Sequence, residues 1–209
     1  MTTLHKVTVF ITRRIEGVEA LLLLEHPYAG IQLPAGTVEP AETPEAAAWR
    51  EAREETALRA DDLELLAYCG VEESDLPPEK VIVVGDAPTL YARPDAGSPG
   101  WAFIPRGARV DVEREQDEWV HVSYREWDHV DASSYVTYQL TGWVRRASLS
   151  SRQERHFYHF RCRVKTEPQW RVQTDNHTFT LFWARRDALP ELHPFFQPWL
   201  GYLARCEDD

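Results

Sequence analysis

Apolar residues cluster in short runs at both ends of the chain. Residues 7–11 (VTVFI) and 20–24 (ALLLL) have the length and continuity of buried strands, and Ile15-Glu16-Gly17 between them predicts a hairpin. A loop rich in glycine and proline follows, HPYAGIQLPAGTVEPAETP. Thr43 is placed to cap a helix with Pro44 at its first position, where the fixed φ of proline is already helical. Residues 44–58, rich in Ala, Glu and Arg, predict that helix, and residues 63–71 return to a strand pattern. From about residue 81 to residue 149 the pattern changes to short β runs with no helical period. ARVDVER and EWVHVSY each alternate, and ARPDAGSPG and PRGA mark turns. Strands this short and closely spaced predict a small β-barrel. HFYHFRCRV and TFTLFWA then restore apolar strands, with Phe157, Tyr158 and Phe160 expected in the core. Pro190 opens a C-terminal helical region, interrupted by Pro194 and Pro198, that Trp199, Leu200 and Leu203 are expected to dock.

The predicted helix carries the chemistry. Glu51, Glu54 and Glu55 stand at i, i+3 and i+4, within an arc of roughly 100°. Three carboxylates so close repel one another, and a bound divalent cation removes that penalty because hard cations prefer carboxylate oxygen. Arg50, one turn before Glu54, can orient its carboxylate. Ala47 and Ala48 share the arc and are expected to leave room for substrate phosphates, while Trp49, Ala52 and Thr56 are expected to pack inward. A bare EAREE string is also compatible with a solvated helix face laced by Arg–Glu pairs.

The longer spacing separates these readings. Gly36, Glu42, Arg50, Glu51, Glu54, Glu55 and Leu58 fall in the order Gly, five residues, Glu, seven residues, Arg-Glu, apolar, any, Glu-Glu, any, Gly, apolar, with Ala52 in the first apolar position. This segment resembles the Nudix box. The departure is Ala57, where the family has glycine. The resemblance implies an α/β/α sandwich with a mixed sheet and a hydrolase that cleaves a diphosphate bond with metal-activated water. By position, it implies Glu51, Glu54 and Glu55 as metal-binding carboxylates and Gly36 as a loop residue offering its carbonyl to Mg²⁺ or Mn²⁺. It also implies Glu42 and Arg50 as the pair fixing the loop to the helix. Other members of the family supply a further acid from a late loop, and Asp175, Asn176 and His177 are the candidates here; a plain polar turn is the alternative. His156 and His159, three apart on a strand, point to opposite faces and are not expected to share a metal.

The middle segment resembles a bacterial SH3-like domain through Gly107, Val110, Val112, Trp119, Val120, Gly142, Trp143 and Val144. A longer loop, residues 125–138, departs from a minimal version. The expected organisation is a Nudix domain in two parts, residues 1–80 and 150–209, interrupted by an SH3-like barrel at 81–149. Exposed tryptophans in the insert would favour recognition of a peptide or cell-wall ligand, and buried ones a plain core. A homodimer contact, a lid and a spacer are the other roles open to it.

Bulk properties narrow the function classes. The 209 residues are 43% hydrophobic and 27% charged, sufficient for a real core. The longest apolar run, residues 20–24, is far short of a membrane span, and the N-terminus reads as a strand rather than a signal peptide. A net charge of −11 disfavours a broad nucleic-acid surface, although bound cations would still admit a phosphate substrate. Three cysteines without metal-like spacing suggest reduced thiols in the cytoplasm. The expected substrate is a nucleoside diphosphate derivative or nucleoside triphosphate. No downstream marker of the ADP-ribose, dinucleoside-polyphosphate or NADH subgroups is evident. The alternatives are a catalytically weak ligand-binding or regulatory Nudix domain and an SH3-like interaction adaptor.

Overall fold

The computed structural model describes residues 2–127, 136–174 and 177–208. The chain divides into two compact units, one of Lys6–Val71 with Arg155–Asp209 and one of Met1–His5 with Glu72–Glu154. The strands in chain order begin with β1 (Leu4–Ile15), β2 (Val18–His26), β3 (Gly30–Gln32), β4 (Ala35–Thr37) and β5 (Leu63–Asp75). Next come β6 (Lys80–Val83), β7 (Thr89–Tyr91), β8 (Gly100–Phe103), β9 (Arg109–Gln116), β10 (Trp119–Trp127), β11 (Val136–Arg145) and β12 (Leu149–Ser150). The last three are β13 (Arg152–Cys162), β14 (Gln169–Thr174) and β15 (His177–Arg185). The two α-helices are α1 (Pro44–Thr56) and α2 (Leu200–Asp208).

The sheet of the first unit runs β14-β15-β2-β1-β13-β5, with β3 paired to β2 and β4 to β1. β1 and β2 are joined by Glu16 and Gly17, both at positive φ (49° and 86°), in register Ile15 to Val18. Two successive positive φ angles match the twist of a tight hairpin, and glycine takes the second without steric cost. Strand alternation then divides the side chains between two cores. Val9, Ile11, Leu22, Leu24, Tyr158, Phe160 and Phe179 pack on one face with Ala47, Ala48 and Ala52 of α1. Phe10, Leu21, Leu23 and Phe157 pack on the other with Trp199 and Leu203, which anchor α2. A helix on each face of one sheet is the three-layer α/β/α architecture that the family resemblance implied.

Each helix has local reasons for its bounds. Thr43 accepts a hydrogen bond from the Ala46 N–H, and Pro44 occupies the first turn. Ala57 ends α1 in the left-handed region (φ 58°, ψ 13°), with its N–H donated to the Arg53 carbonyl. The C-terminal region is less helical than its composition suggests. It holds 3₁₀ turns at Arg186–Ala188 and Gln197–Trp199, and α2 begins only after Pro198. β3 and β4 lie inside the segment expected to be a loop, because three residues are too few to show a period. β14 was also not expected, and its alternation rests mainly on Trp170 and Val172.

The second unit holds an antiparallel sheet ordered β12-β6-β9-β10-β11-β7-β8. Its core gathers Val83, Leu90, Ile104, Val110, Val120, Val122 and Val144. Trp119 and Trp143 are each 5% exposed. Arg145 lies 4.3 Å over the Trp119 ring and Arg114 lies 4.9 Å over the Trp143 ring, which places both indoles in the packing of this sheet. Gly142 has a steric role, since a Cβ there would meet the Tyr91 carbonyl oxygen at 3.1 Å. Residues 125–127 and 136–138, expected as loop, extend β10 and β11, with Arg125 opposite Gln139 and Glu126 opposite Tyr138. Residues 128–135 lie outside the described residues. Among the described residues, no helix is long and apolar enough to cross a membrane.

Candidate active site

The α1 helix meets the β3–β4 segment through its glutamates. Glu51 and Glu55 are each 8% exposed, whereas the Glu54 side chain is 53% exposed. Glu55 accepts a hydrogen bond from the Ala35 N–H at 2.8 Å. Glu51 lies so close to Gly36 that a Cβ on that residue would fall 1.7 Å from Glu51 Oε1 and 2.0 Å from its carboxyl carbon. Gly36 itself has no left-handed φ. The requirement for glycine is therefore one of space: the carboxylate occupies the volume any side chain would need.

Arg50 organises the cluster. Its Nε donates to Glu42 Oε1 at 3.1 Å, and its Nη2 to Glu42 Oε2 at 3.1 Å and to the Thr37 carbonyl at 3.0 Å. Its Nη1 donates to Glu51 Oε1 at 2.8 Å and to Glu54 Oε2 at 3.1 Å. Five acceptors match the five N–H donors of a guanidinium, a fork that lysine does not provide. Burial works against the Arg50 charge, but the Glu42 hydrogen bond and the Glu51 and Glu54 carboxylates raise its pKa. Burial likewise opposes the Glu42 charge, yet its hydrogen bonds from Arg50 and from the Glu39 N–H leave its carboxyl below the usual value.

Gly36, Glu42, Arg50, Glu51, Glu54 and Glu55 are thus brought together. Three carboxylates share one guanidinium and Glu55 lies beside them, and hard oxygen donors held this way suit a divalent cation. The close approach permitted by Gly36 fits the same purpose, since it presses two buried carboxylates against the loop. Ala47 and Ala48 do not leave space for phosphate: both are fully buried in the core beneath the sheet. Their small size lets α1 approach the strands. Trp49 packs against Phe160 with ring centroids 4.6 Å apart, and Ala52 and Thr56 are fully buried.

Asp175 and Asn176 lie outside the described residues. His177 opens β15 and meets His26 at 4.7 Å between ring centroids, with Tyr28 at 6.1 Å and Phe179 at 6.4 Å. His26 stands two residues after Leu24 and His177 two before Phe179, so both share the sheet face that α1 covers. The N–H groups of Tyr28 and Ala29 donate to His26 Nδ1, and burial followed by the His177 charge lowers the His26 pKa. Tyr28 is 60% exposed. Sequence reasoning missed His26 and Tyr28. The only available signal was an HPY triplet next to the glycine-rich loop. His159 is buried and bonds to Thr12 Oγ1 at 2.7 Å, while His156 bonds to the Tyr68 hydroxyl at 3.1 Å.

A family model described as the NUDIX domain matches residues 4–132. No curated protein matches the chain. Among solved structures, an Ap4A hydrolase of C. elegans is 14% identical, covering 98% of this chain and 96% of that chain, with a TM-score of 0.46. A Nudix hydrolase from M. smegmatis, RenU, is 15% identical over 96% of this chain and 86% of that chain, with a TM-score of 0.43. The NUDIX domain of Shewanella oneidensis NrtR, in complex with ADP ribose, is 11% identical over 98% of this chain and 88% of that chain, with a TM-score of 0.46.

Proposed function

Because the chain belongs to the Nudix family, we propose that it hydrolyses a diphosphate linkage in a nucleoside diphosphate derivative or nucleoside triphosphate, at the cluster formed by Glu51, Glu54 and Glu55. The carrying observation is the Glu51 carboxylate seated over Gly36 beside Glu55 and Glu54. An ordinary solvated Arg–Glu helix face gives no reason to bury two of three glutamates or to reserve the volume of a side chain for one of them.

These three carboxylates would hold divalent metal, Mg²⁺ or Mn²⁺. When bound, that metal would neutralise diphosphate oxygens and acidify water. Arg50 keeps Glu51 and Glu54 at fixed positions, and Glu42 holds Arg50 from the loop side. Fixed carboxylates need no rearrangement as charge develops, which is the main contribution a protein makes to this class of reaction. One of these carboxylates takes the proton from the attacking water. The His26, Tyr28 and His177 rings offer a stacking surface for the nucleoside on the same sheet face as α1.

We assign the Glu72–Glu154 unit to the SH3-like type. Gly107 at φ 84°, the buried Val110, Val120 and Val144, and the steric demand at Gly142 support that reading. Burial of Trp119 and Trp143 favours a structural use of these two residues, whereas Trp101, 52% exposed, keeps ligand recognition open to this unit.

The test is phosphate or nucleotide release from a panel of nucleoside diphosphate derivatives and triphosphates, with Mg²⁺ or Mn²⁺ and with chelator. Turnover is expected only with metal, and Glu54→Gln and Glu55→Gln are each expected to lower kcat at least ~100-fold, the scale of a key electrostatic group. Near-normal turnover in both variants would remove the basis of the assignment. A wild-type protein that binds metal and nucleotide without turnover would instead mark a regulatory domain.

A further inference from the structure

Three cysteines are free in this structure, and two of them are neighbours although 137 positions separate their numbers. We propose that Cys69 and Cys206 close a reversible disulfide that fastens α2 to β5. Cys69 lies on β5 and Cys206 in α2, each partly exposed. Cys206 stands close enough to Cys69 to act on its thiol. Together with Tyr68, Gly70, Tyr202 and Arg205 they line an open cavity of about 450 Å³, large enough to admit a small disulfide.

The packing on either side of the pair sets their approach. Tyr202 stacks on Phe157 with ring centroids 3.9 Å apart, and it lies over Gly70, where a Cβ would meet its ring at 3.7 Å. Leu203 and Trp199 are buried in the core on the same side. These contacts hold α2 against β5 on either side of the cavity that both cysteines line. Cys162 differs: it is 3% exposed and donates to the Val164 carbonyl at 3.5 Å.

Burial, then the neighbouring Cys206 and the Glu207 charge, hold the Cys69 thiol well above its ordinary pKa. Cys69 is therefore the poorer first nucleophile, and in the proposed sequence Cys206 attacks first. After losing its proton to solvent, the Cys206 sulfur attacks one sulfur of a low-molecular-weight disulfide. That disulfide bond breaks, a small thiolate leaves, and a mixed disulfide forms. Cys69, deprotonated as it reacts, attacks the Cys206 sulfur and expels the second small thiolate. Two protein thiols become one disulfide, and one small disulfide is reduced to two small thiols.

The experiment treats the native full-length chain with oxidised glutathione, blocks the remaining thiols and maps the peptides by mass spectrometry. The expected product lacks two hydrogens, links Cys69 to Cys206 and leaves Cys162 as a thiol. Its unfolding midpoint is expected to rise by roughly 5–10 °C and to return after dithiothreitol, since closing a long loop restricts the unfolded chain. Cys69→Ser and Cys206→Ser should each abolish both effects, and Cys162→Ser should abolish neither. Stable glutathione adducts on Cys69 and Cys206 without a linkage, a linkage through Cys162, or no reaction of the native protein would each overturn the proposal.

Discussion

Replacing Gly36 by alanine puts a methyl group where the Glu51 carboxylate now lies. The new carbon would stand 1.7 Å from Oε1, 2.0 Å from the carboxyl carbon and 2.6 Å from Oε2, so one of the two groups must leave. The alanine is fixed to β4, which pairs with β1 at Val7, whereas the carboxylate is the far end of a flexible side chain. The carboxylate therefore moves and loses the 2.8 Å hydrogen bond from Arg50. Both partners of that pair are mostly buried, with side chains 21% and 10% exposed, so its loss should cost about 1–3 kcal/mol of stability. Activity should fall by about 100-fold, because a displacement on the order of 1 Å in a catalytic group has that effect. The sharper test is a double-mutant cycle with Glu51→Ala. Once the carboxylate is gone, the methyl group at position 36 meets no obstacle, so Gly36→Ala should add almost nothing, in thermal unfolding or in kcat, to the effect of Glu51→Ala alone. Equal losses in both backgrounds would refute the steric account and assign Gly36 a role independent of Glu51.

Ala57→Gly should raise stability by about 0.5–1 kcal/mol, read as a higher unfolding midpoint, because alanine at φ 58° carries a left-handed penalty that glycine lacks. Arg155→Leu should lower stability by about 2–4 kcal/mol in urea titration, since the buried guanidinium donates to the Val7 carbonyl and Thr8 Oγ1 and lies 4.2 Å over the Trp199 ring; Arg155→Lys should not restore the loss. Burial lowers the folded pKa of His159 below its ordinary 6.5, so protons bind preferentially to the unfolded chain. Stability should fall as pH drops below 6.5, at up to ~1.4 kcal/mol per pH unit until the folded pKa is reached, and His159→Gln should flatten that slope in unfolding measurements across pH 5–7.

Residues 7–11, 20–24 and 156–160 could be read as strands because side chains that alternate between two cores leave long apolar runs. The α1 boundaries were equally local: a threonine cap and a proline at the start act through neighbouring backbone groups. The spacing of Glu51, Glu54 and Glu55 also needed nothing beyond helical geometry. What the sequence determined by itself was therefore periodicity, caps and the common face of the carboxylates. Tertiary structure alone decided which members of that face are buried, placing Ala47 and Ala48 in the core and Glu54 in solvent. It alone explained Gly36 by the carboxylate of a residue fifteen positions later, and it gathered His26, Tyr28 and His177 from the ends of two paired strands. It likewise brought Cys69 beside Cys206. Local patterns record which way a side chain points along its own element. Contacts between distant elements depend on sheet order and on how closely helices approach strands, and no period within one segment encodes either.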